Sequence, residues 1–120
     1  MFATVLTTVG KQWIVDKIDE TVQTTGDWVG WGTGNGTAAV GDTALFGAAS
    51  EARIQATRSQ PAADKVRWVA QITANASKSI TNAGNFTASS GGTLIIHGDF
   101  TAISLNSGDK IEFTIDLQIT

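Results

Sequence analysis

The single histidine of the chain, His97, is the first residue to consider for chemistry. Asp99 lies two positions further on and, in a strand, on the same face, as a nucleophile–histidine–acid triad would require. Any serine could complete such a triad, so the pattern has no specificity, and a zinc site would need three further ligands, all carboxylates. We therefore expect His97 to be a structural strand residue whose ring is satisfied by hydrogen bonding.

Two carboxylates near the end of the chain, Glu112 and Asp116, suggest the acid pair of a glycosidase. Four strand residues separate them by roughly 13 Å, which is too far for the two groups to work together. We interpret them as solvated charges on the outer face of a strand. The sequence thus predicts no catalytic residue, no metal site, no cofactor and no small-molecule substrate, and we expect a protein that is not an enzyme.

A run of alternating glycines, Gly32-Thr33-Gly34-Asn35-Gly36-Thr37, resembles a phosphate-binding loop. Residues 34–39 even satisfy the looser dinucleotide-binding pattern. That pattern requires a strand before it and a full helix after it, and the residues that follow are too few for such a unit. No Gly-Lys-Ser/Thr closes the run either. Glycine permits tight turning without steric cost, so a structural loop is the better interpretation.

Four tryptophans are the remaining candidates for binding. Trp28 and Trp31 flank the glycine run, where exposed and coplanar rings could stack on a sugar. The alternative is that both anchor a subunit contact, since tryptophan is enriched in such contacts. Trp68 occupies an alternating apolar position and is predicted to lie in the core.

The bulk composition limits the classes of partner. At 120 residues the chain is predicted to be one domain, and its net charge of −3 with scattered Lys and Arg argues against nucleic acid. Charged residues make up 16%, below the typical ≈ 25%, so a surface of Thr, Ser, Gly and Ala favours protein contacts. There is no Cys for disulfides, no apolar run long enough for a membrane helix, and no signal-peptide pattern at the start, so no membrane partner is expected.

The clearest element is the stretch from Lys110 to Ile119, in which every odd residue is apolar and every even residue polar or charged. This period of two is typical of a strand with one dry and one wet face. At the other end, the spacing of apolar residues predicts a helix over residues 2–20 with Thr4 or Thr7 as its cap, a strand being the alternative. The apolar stripe of that helix is Phe2, Val5, Leu6, Val9 and Trp13.

Further short strands separated by Gly and Ser turns are predicted between these two ends. The predicted strands span residues 27–31, 52–57, 66–74 and 93–100; a helical turn capped by Asp42 spans 42–46, a hairpin connection 59–64, and turns 89–92 and 107–109. This spacing favours a mainly β fold, an antiparallel β-sandwich or jelly-roll-like barrel with a short N-terminal helix. We expect one domain over residues 1–120, with a helix or arm over 1–20 and the β core over 26–120.

The order of short motifs along the chain resembles a type of small virion protein of tailed bacteriophages, most closely a head decoration (cement) protein. The N-terminal helical stretch is followed by Val29-Gly30-Trp31-Gly32-Thr33-Gly34, Asp42-Thr43-Ala44-Leu45, Glu51-Ala52-Arg53, Arg67-Trp68-Val69-Ala70, Ile80-Thr81-Asn82-Ala83-Gly84-Asn85-Phe86, Gly91 to Leu94, and Ser107-Gly108-Asp109. Similar phage proteins often carry Glu-Ala-Gly-Leu-Phe where this chain has Asn82 to Phe86. The departure removes an acid and a leucine.

The resemblance implies a protein that binds the outside of the capsid shell and stabilises it, with the major capsid protein as partner and a homotrimer as its form. It also implies synthesis in the host cytoplasm and a final location on the virion exterior. Tail-fibre, neck or other virion β-domains, and a carbohydrate-binding module, are the alternatives. Apolar residues near the terminus and the tryptophan-flanked loop suggest two contact regions, Met1–Trp13 and Gly30–Thr37. The candidate contact residues are Phe2, Val5, Leu6, Val9, Trp13, Trp28, Trp31 and Asn35.

Overall fold

The computed structural model describes residues 3–22 and 24–120, which form two antiparallel sheets and one short helix. The elements are β1 (Thr4–Leu6), α1 (Thr8–Ile18), β2 (Trp28–Gly32), β3 (Ile54–Gln55), β4 (Thr57–Ala62), β5 (Lys65–Thr73), β6 (Lys78–Phe86), β7 (Leu94–Leu105) and β8 (Lys110–Gln118). The large sheet has the order β1-β7-β6-β2-β3, and the small sheet has the order β4-β5-β8. The predicted mainly β, sandwich-like fold with a short N-terminal helix is confirmed.

The core lies between the two sheets and is built from alternate residues of their strands. Trp68 of β5 is 1% exposed, as predicted, and packs with buried residues of the large sheet such as Val29 and Ile95. Trp31 of β2 meets Phe113 of β8 edge to face, with ring centroids 6.2 Å apart. The two sheets therefore share one apolar interior.

Strand β8 confirms the alternation from which it was predicted. It pairs with β5 from Lys110 to Gln118 without a register shift. Its odd residues are half-buried towards the large sheet and its even residues are exposed. Nine pairs in a regular antiparallel ladder fix the position of the small sheet's last strand.

The N-terminal helix is shorter than predicted, because residues 4–6 form a strand and not a first helical turn. These residues pair with Ile96 to Gly98 of β7, and the Thr7 N–H continues the pairing by donating to the Ile95 carbonyl at 2.9 Å. Thr7 then caps α1, since its Oγ1 accepts from the Gly10 N–H at 2.9 Å and donates to the Leu94 carbonyl at 2.6 Å. Thr7 was one of the two predicted caps.

Other boundaries also differ from the predictions. The hairpin connection predicted over 59–64 is shorter, because β4 continues through Pro61 to Ala62, and a register shift between Ser59 and Ala62 accommodates the proline. Strand β7 extends to Leu105 instead of ending near Phe100. In residues 3–22 and 24–120, no helix has the length and apolar character needed to cross a membrane.

Candidate functional site

The segment between β2 and β3, residues 33–53, crosses the face of the large sheet that points away from the small sheet. We call it the anchored loop. Its side chains lie on the strands below: the Phe46 ring packs on His97 with centroids 4.6 Å apart, and the Arg53 guanidinium lies 3.4 Å from the centroid of Phe86. Long ordered loops on a rigid sheet are where binding functions commonly lie. The loop is therefore the main candidate for a site.

His97 forms the central anchor of this loop. Its side chain is fully buried, with Nδ1 2.7 Å from Asp42 Oδ2 and Nε2 3.0 Å from Asn82 Oδ1. The Asn82 amide is oriented by Phe46, whose N–H donates to Oδ1 at 3.0 Å and whose carbonyl accepts from Nδ2 at 2.9 Å. Both ring nitrogens are therefore engaged by side-chain oxygens, one from the loop and one from β6. The predicted structural role of His97 is confirmed.

The helical turn predicted over 42–46 is wrong, because Asp42 does not cap a helix. Its Oδ2 accepts from the Ala39 N–H at 2.8 Å and lies 2.7 Å from Nδ1 of His97 on β7. Residues 42–46 are irregular, since their backbone is fixed by side chains of the large sheet and not by a helical ladder. The contact between Asp42 and His97, which are 55 positions apart, thus takes the place of the predicted helix cap.

Asp99 forms a second anchor and joins two distant segments. Its Oδ1 accepts from the Ala38 N–H at 2.7 Å and from the Ala3 N–H at 3.0 Å. The hydrogen bond from Ala38, followed by that from Ala3, outweighs burial and lowers the pKa of the Asp99 carboxyl. His97 takes Asp42 and not Asp99 as its carboxylate partner, so the two residues that suggested a triad act separately.

Glu51 forms the third anchor, at the far end of the loop. Its Oε1 accepts from Trp31 Nε1 at 2.9 Å, and its Oε2 accepts from the Asn75 N–H at 2.9 Å and from the Lys78 ammonium. Burial alone would raise the pKa of Glu51, but the hydrogen bonds from Lys78, Asn75 and Trp31 lower it from 4.5 to about 2. The carboxylate is thus held charged beneath the loop.

The glycine run is part of this packing, which confirms the structural interpretation of the loop. The Thr33 and Gly34 N–H groups donate to the Gly47 and Phe46 carbonyls, each at 2.9 Å, so they are used within the chain. A Cβ at Gly32 would lie 2.3 Å from the Phe46 carbonyl oxygen, closer than any side chain allows. The glycines are needed because backbone packs directly on backbone here.

The first predicted contact region, Met1–Trp13, meets the segment that directly follows the second, Gly30–Thr37, at one place on the surface. The Thr8 N–H donates to the Val40 carbonyl at 2.7 Å, and Asp99 ties Ala3 to Ala38. Val40 is 52% exposed. We call the exposed residues of segments 3–9 and 35–41 the composite surface. Of the candidate contact residues, Asn35 belongs to this surface. Val5, Leu6 and Val9 are half-buried and Leu6 packs against the core, whereas Phe2 lies outside the described residues.

The tryptophan predictions need correction. Trp31 is 2% exposed, so its ring is packed within the chain and presents no surface to a partner. Trp28 is half-buried and, three strand residues away, points to the opposite face of the sheet. The exposed and coplanar pair that a sugar platform requires is therefore not formed. Trp13 is half-buried at the edge of the core, where its Nε1 donates to Thr24 Oγ1 at 3.1 Å.

Sequence reasoning missed most of the anchoring residues. Glu51 and Asn82 were not predicted to hold the loop, and Asp42 was predicted only as a helix cap. Asn85 was not predicted either; it donates to the Gly26 carbonyl at 2.9 Å and accepts from the Ile96 N–H at 3.1 Å. The available signal was two asparagines inside the run Ile80–Phe86. Buried amides of this kind are normally paired with backbone groups.

Taken together, the anchors hold backbone segments in place. Throughout the described ranges, every buried side-chain nitrogen or oxygen has a hydrogen-bond partner. Over the same ranges, no group of three or more His, Cys, Asp or Glu side chains could hold a metal ion. A fully buried imidazole with both nitrogens occupied cannot reach a substrate.

Comparisons of the chain with protein-family models, with curated proteins and with solved structures give no match.

Replacing Gly32 by alanine tests the direct packing of the loop on the sheet. We expect Gly32→Ala to lower the free energy of unfolding by about 2 kcal/mol, because the new Cβ overlaps the Phe46 carbonyl and displaces the loop or the strand. Urea denaturation measures the change. Gly41→Ala is the matched control, since a Cβ there meets nothing within 4 Å, and equal stability of the two variants would contradict the packing.

Lowering the pH tests the Glu51 anchor. Because the folded pKa of about 2 lies below the ordinary 4.5, the stabilisation by Glu51 is complete above about pH 4.5 and is lost as pH falls towards 2. Glu51→Gln should be less stable than the parent by about 2 kcal/mol at pH 6. Thermal melts across pH 2–6 should show this gap narrowing as pH falls, whereas a gap that is independent of pH would refute the role of the carboxylate.

Proposed function

We propose that this chain is a non-enzymatic structural protein of a tailed-phage virion that binds the outside of the capsid shell and stabilises it as a decoration protein. The order of motifs along the sequence suggests this class, as described above. The major capsid protein is the proposed partner, the homotrimer the proposed form, and the virion exterior the proposed location after synthesis in the host cytoplasm.

The observation that carries the proposal is the composite surface. Segment 3–9 belongs to the first predicted contact region, and segment 35–41 overlaps the second; they are joined by one backbone hydrogen bond and by the Asp99 carboxylate. The exposed residues there are mostly small and uncharged: Thr4, Thr8, Asn35, Gly36, Thr37, Ala39, Val40 and Gly41. A rigid, weakly hydrated patch of this composition suits contact with another protein.

The interior supports the same class of function. The titratable groups in and beneath the loop each help to hold it in place: Asp42 and His97 at its centre, Asp99 at its start and Glu51 at its end. A shell-stabilising protein needs such rigidity more than it needs reactive groups. Because a decoration protein makes the same contact many times on one lattice, weak individual contacts suffice for tight overall binding.

The experiment that tests the proposal is co-sedimentation of the purified protein with capsids that lack it. Val40→Asp places a charge on the composite surface and should weaken capsid binding by about tenfold or more, as expected for burying an unpaired charge in a contact. Ile103→Asp is the control, because Ile103 is an exposed aliphatic residue at the far end of β7.

Two results would contradict this account: the first would overturn the capsid role, and the second would overturn the composite surface as the contact. The first is a wild-type protein that stays in the supernatant with capsids or sediments with tails instead. The second is equal binding by Val40→Asp and Ile103→Asp, which would place the contact elsewhere on the molecule. Melting curves of both variants exclude loss of fold as the cause.

A further inference from the structure

Strand β8 has one edge that no strand covers in residues 3–22 and 24–120. The β5–β8 ladder continues at its ends with Ile119 N–H to Asp64 carbonyl at 2.9 Å and Ala74 N–H to Asp109 carbonyl at 2.8 Å. Since bonded residues alternate in an antiparallel ladder, the odd residues of β8 bond to β5. The even residues therefore direct their N–H and C=O groups to the free edge: Lys110, Glu112, Thr114, Asp116 and Gln118.

The other sheet edges are protected in ways that β8 is not. Strand β4 carries Pro61 and a register shift, β1 has three residues, and β3 has two. These are the usual means by which proteins prevent edge-to-edge pairing. Strand β8 has nine residues, no proline and no shift. Within the described residues, β8 is therefore a long and regular edge strand whose outer backbone groups are free to pair with another strand.

The dry face of β8 is also incompletely covered. Phe113 and Ile115 are only half-buried, whereas Trp68 and Ile72 on the neighbouring β5 are 1% exposed. A cleft of about 170 Å³ opens beside the strand between the two sheets, and Phe100 of β7 lines it together with Phe113 and Ile115. A further strand at this edge would remove that apolar surface from water.

We propose that β8 pairs antiparallel with β8 of a second copy of this chain, around a two-fold axis at Phe113. Lys110 then lies opposite the partner's Asp116, and the symmetry makes this opposite-charge pair twice. Ile111 lies opposite the partner's Ile115 on the dry face. The register centred on Thr114 would instead place Glu112 opposite the partner's Asp116 twice, with like charges, so charge selects the register centred on Phe113.

The Asp116 carboxylate keeps capacity for this contact. Arg67 of β5 donates to its two oxygens at 2.8 and 3.0 Å, which holds the side chain extended along the outer face. A carboxylate accepts up to about four hydrogen bonds, so the lysine ammonium of a second copy has room to donate. The contact joins copies in pairs and does not depend on the capsid role; on a shell it would link neighbouring trimers across two-fold axes.

Light scattering at about 100 µM protein tests the contact, with Thr114→Pro as the decisive variant. Thr114 is exposed and its N–H faces the free edge, so proline removes a donor to the second copy and none to β5. We expect the wild-type protein to have twice the mass of Thr114→Pro if the smaller unit is one chain of 12.5 kDa, and at least twice that mass if it is a trimer, which carries three such edges. Thr114→Val keeps the N–H and should retain the wild-type mass.

A second variant decides the question even if the proline prevents folding. Lys110→Glu places two like-charge pairs in the register and should raise the dissociation constant about tenfold, with recovery as salt is increased. Lys11→Glu on the exposed face of α1 makes the same change in net charge and should have no effect. A wild-type monomer at this concentration, or an unchanged mass in both Thr114→Pro and Lys110→Glu, would overturn the proposal.

Discussion

The buried polar groups of the anchored loop need hydrogen-bond partners, and this constraint shapes the rest of the structure. The small sheet packs on one face of the large sheet through side chains, whereas the loop crosses the other face and brings backbone N–H and C=O groups that lose contact with water. His97 and Asn82 supply these partners at the centre, where they hold the Asp42 carboxylate and both backbone groups of Phe46. The position of the whole anchored loop depends on this buried polar cluster.

The same constraint accounts for residues that would otherwise suggest chemistry. Gly32 and Gly34 are required because the backbone of Phe46 and Gly47 lies directly against them. The low pKa of Glu51 follows from its hydrogen bonds to Trp31, Asn75 and Lys78, which pin the end of the loop. The buried polar groups thus serve to hold the loop, and the exposed backbone and side chains of the N-terminal strand, the loop and the β8 edge are the parts on which the proposed contacts rest.

The sequence pattern predicted correctly those elements that have one face towards the core and one face towards solvent. Strand β8 has this arrangement and Trp68 lies on the core side of β5, so period-two alternation described both. Strand β6 was not predicted, because its buried residues include Asn82 and Asn85, which look like turn residues until their backbone partners are known. The anchors also link residues far apart, 55 positions for Asp42 and 61 for Ala38, and no window of sequence contains both partners. The burial of Trp31 depends on which face of β2 meets the small sheet, and the fold alone decides that.

Native-state hydrogen exchange of the loop amides tests most directly whether the anchored loop is an integral part of the fold. The informative amides are those of Gly34, Ala38 and Phe46, whose partners are given above, compared with amides of β6. If the polar cluster holds the loop, these amides exchange only through opening that costs nearly as much as unfolding β6. Exchange at rates close to those of an unprotected chain, with β6 still protected, would contradict the central role of the cluster.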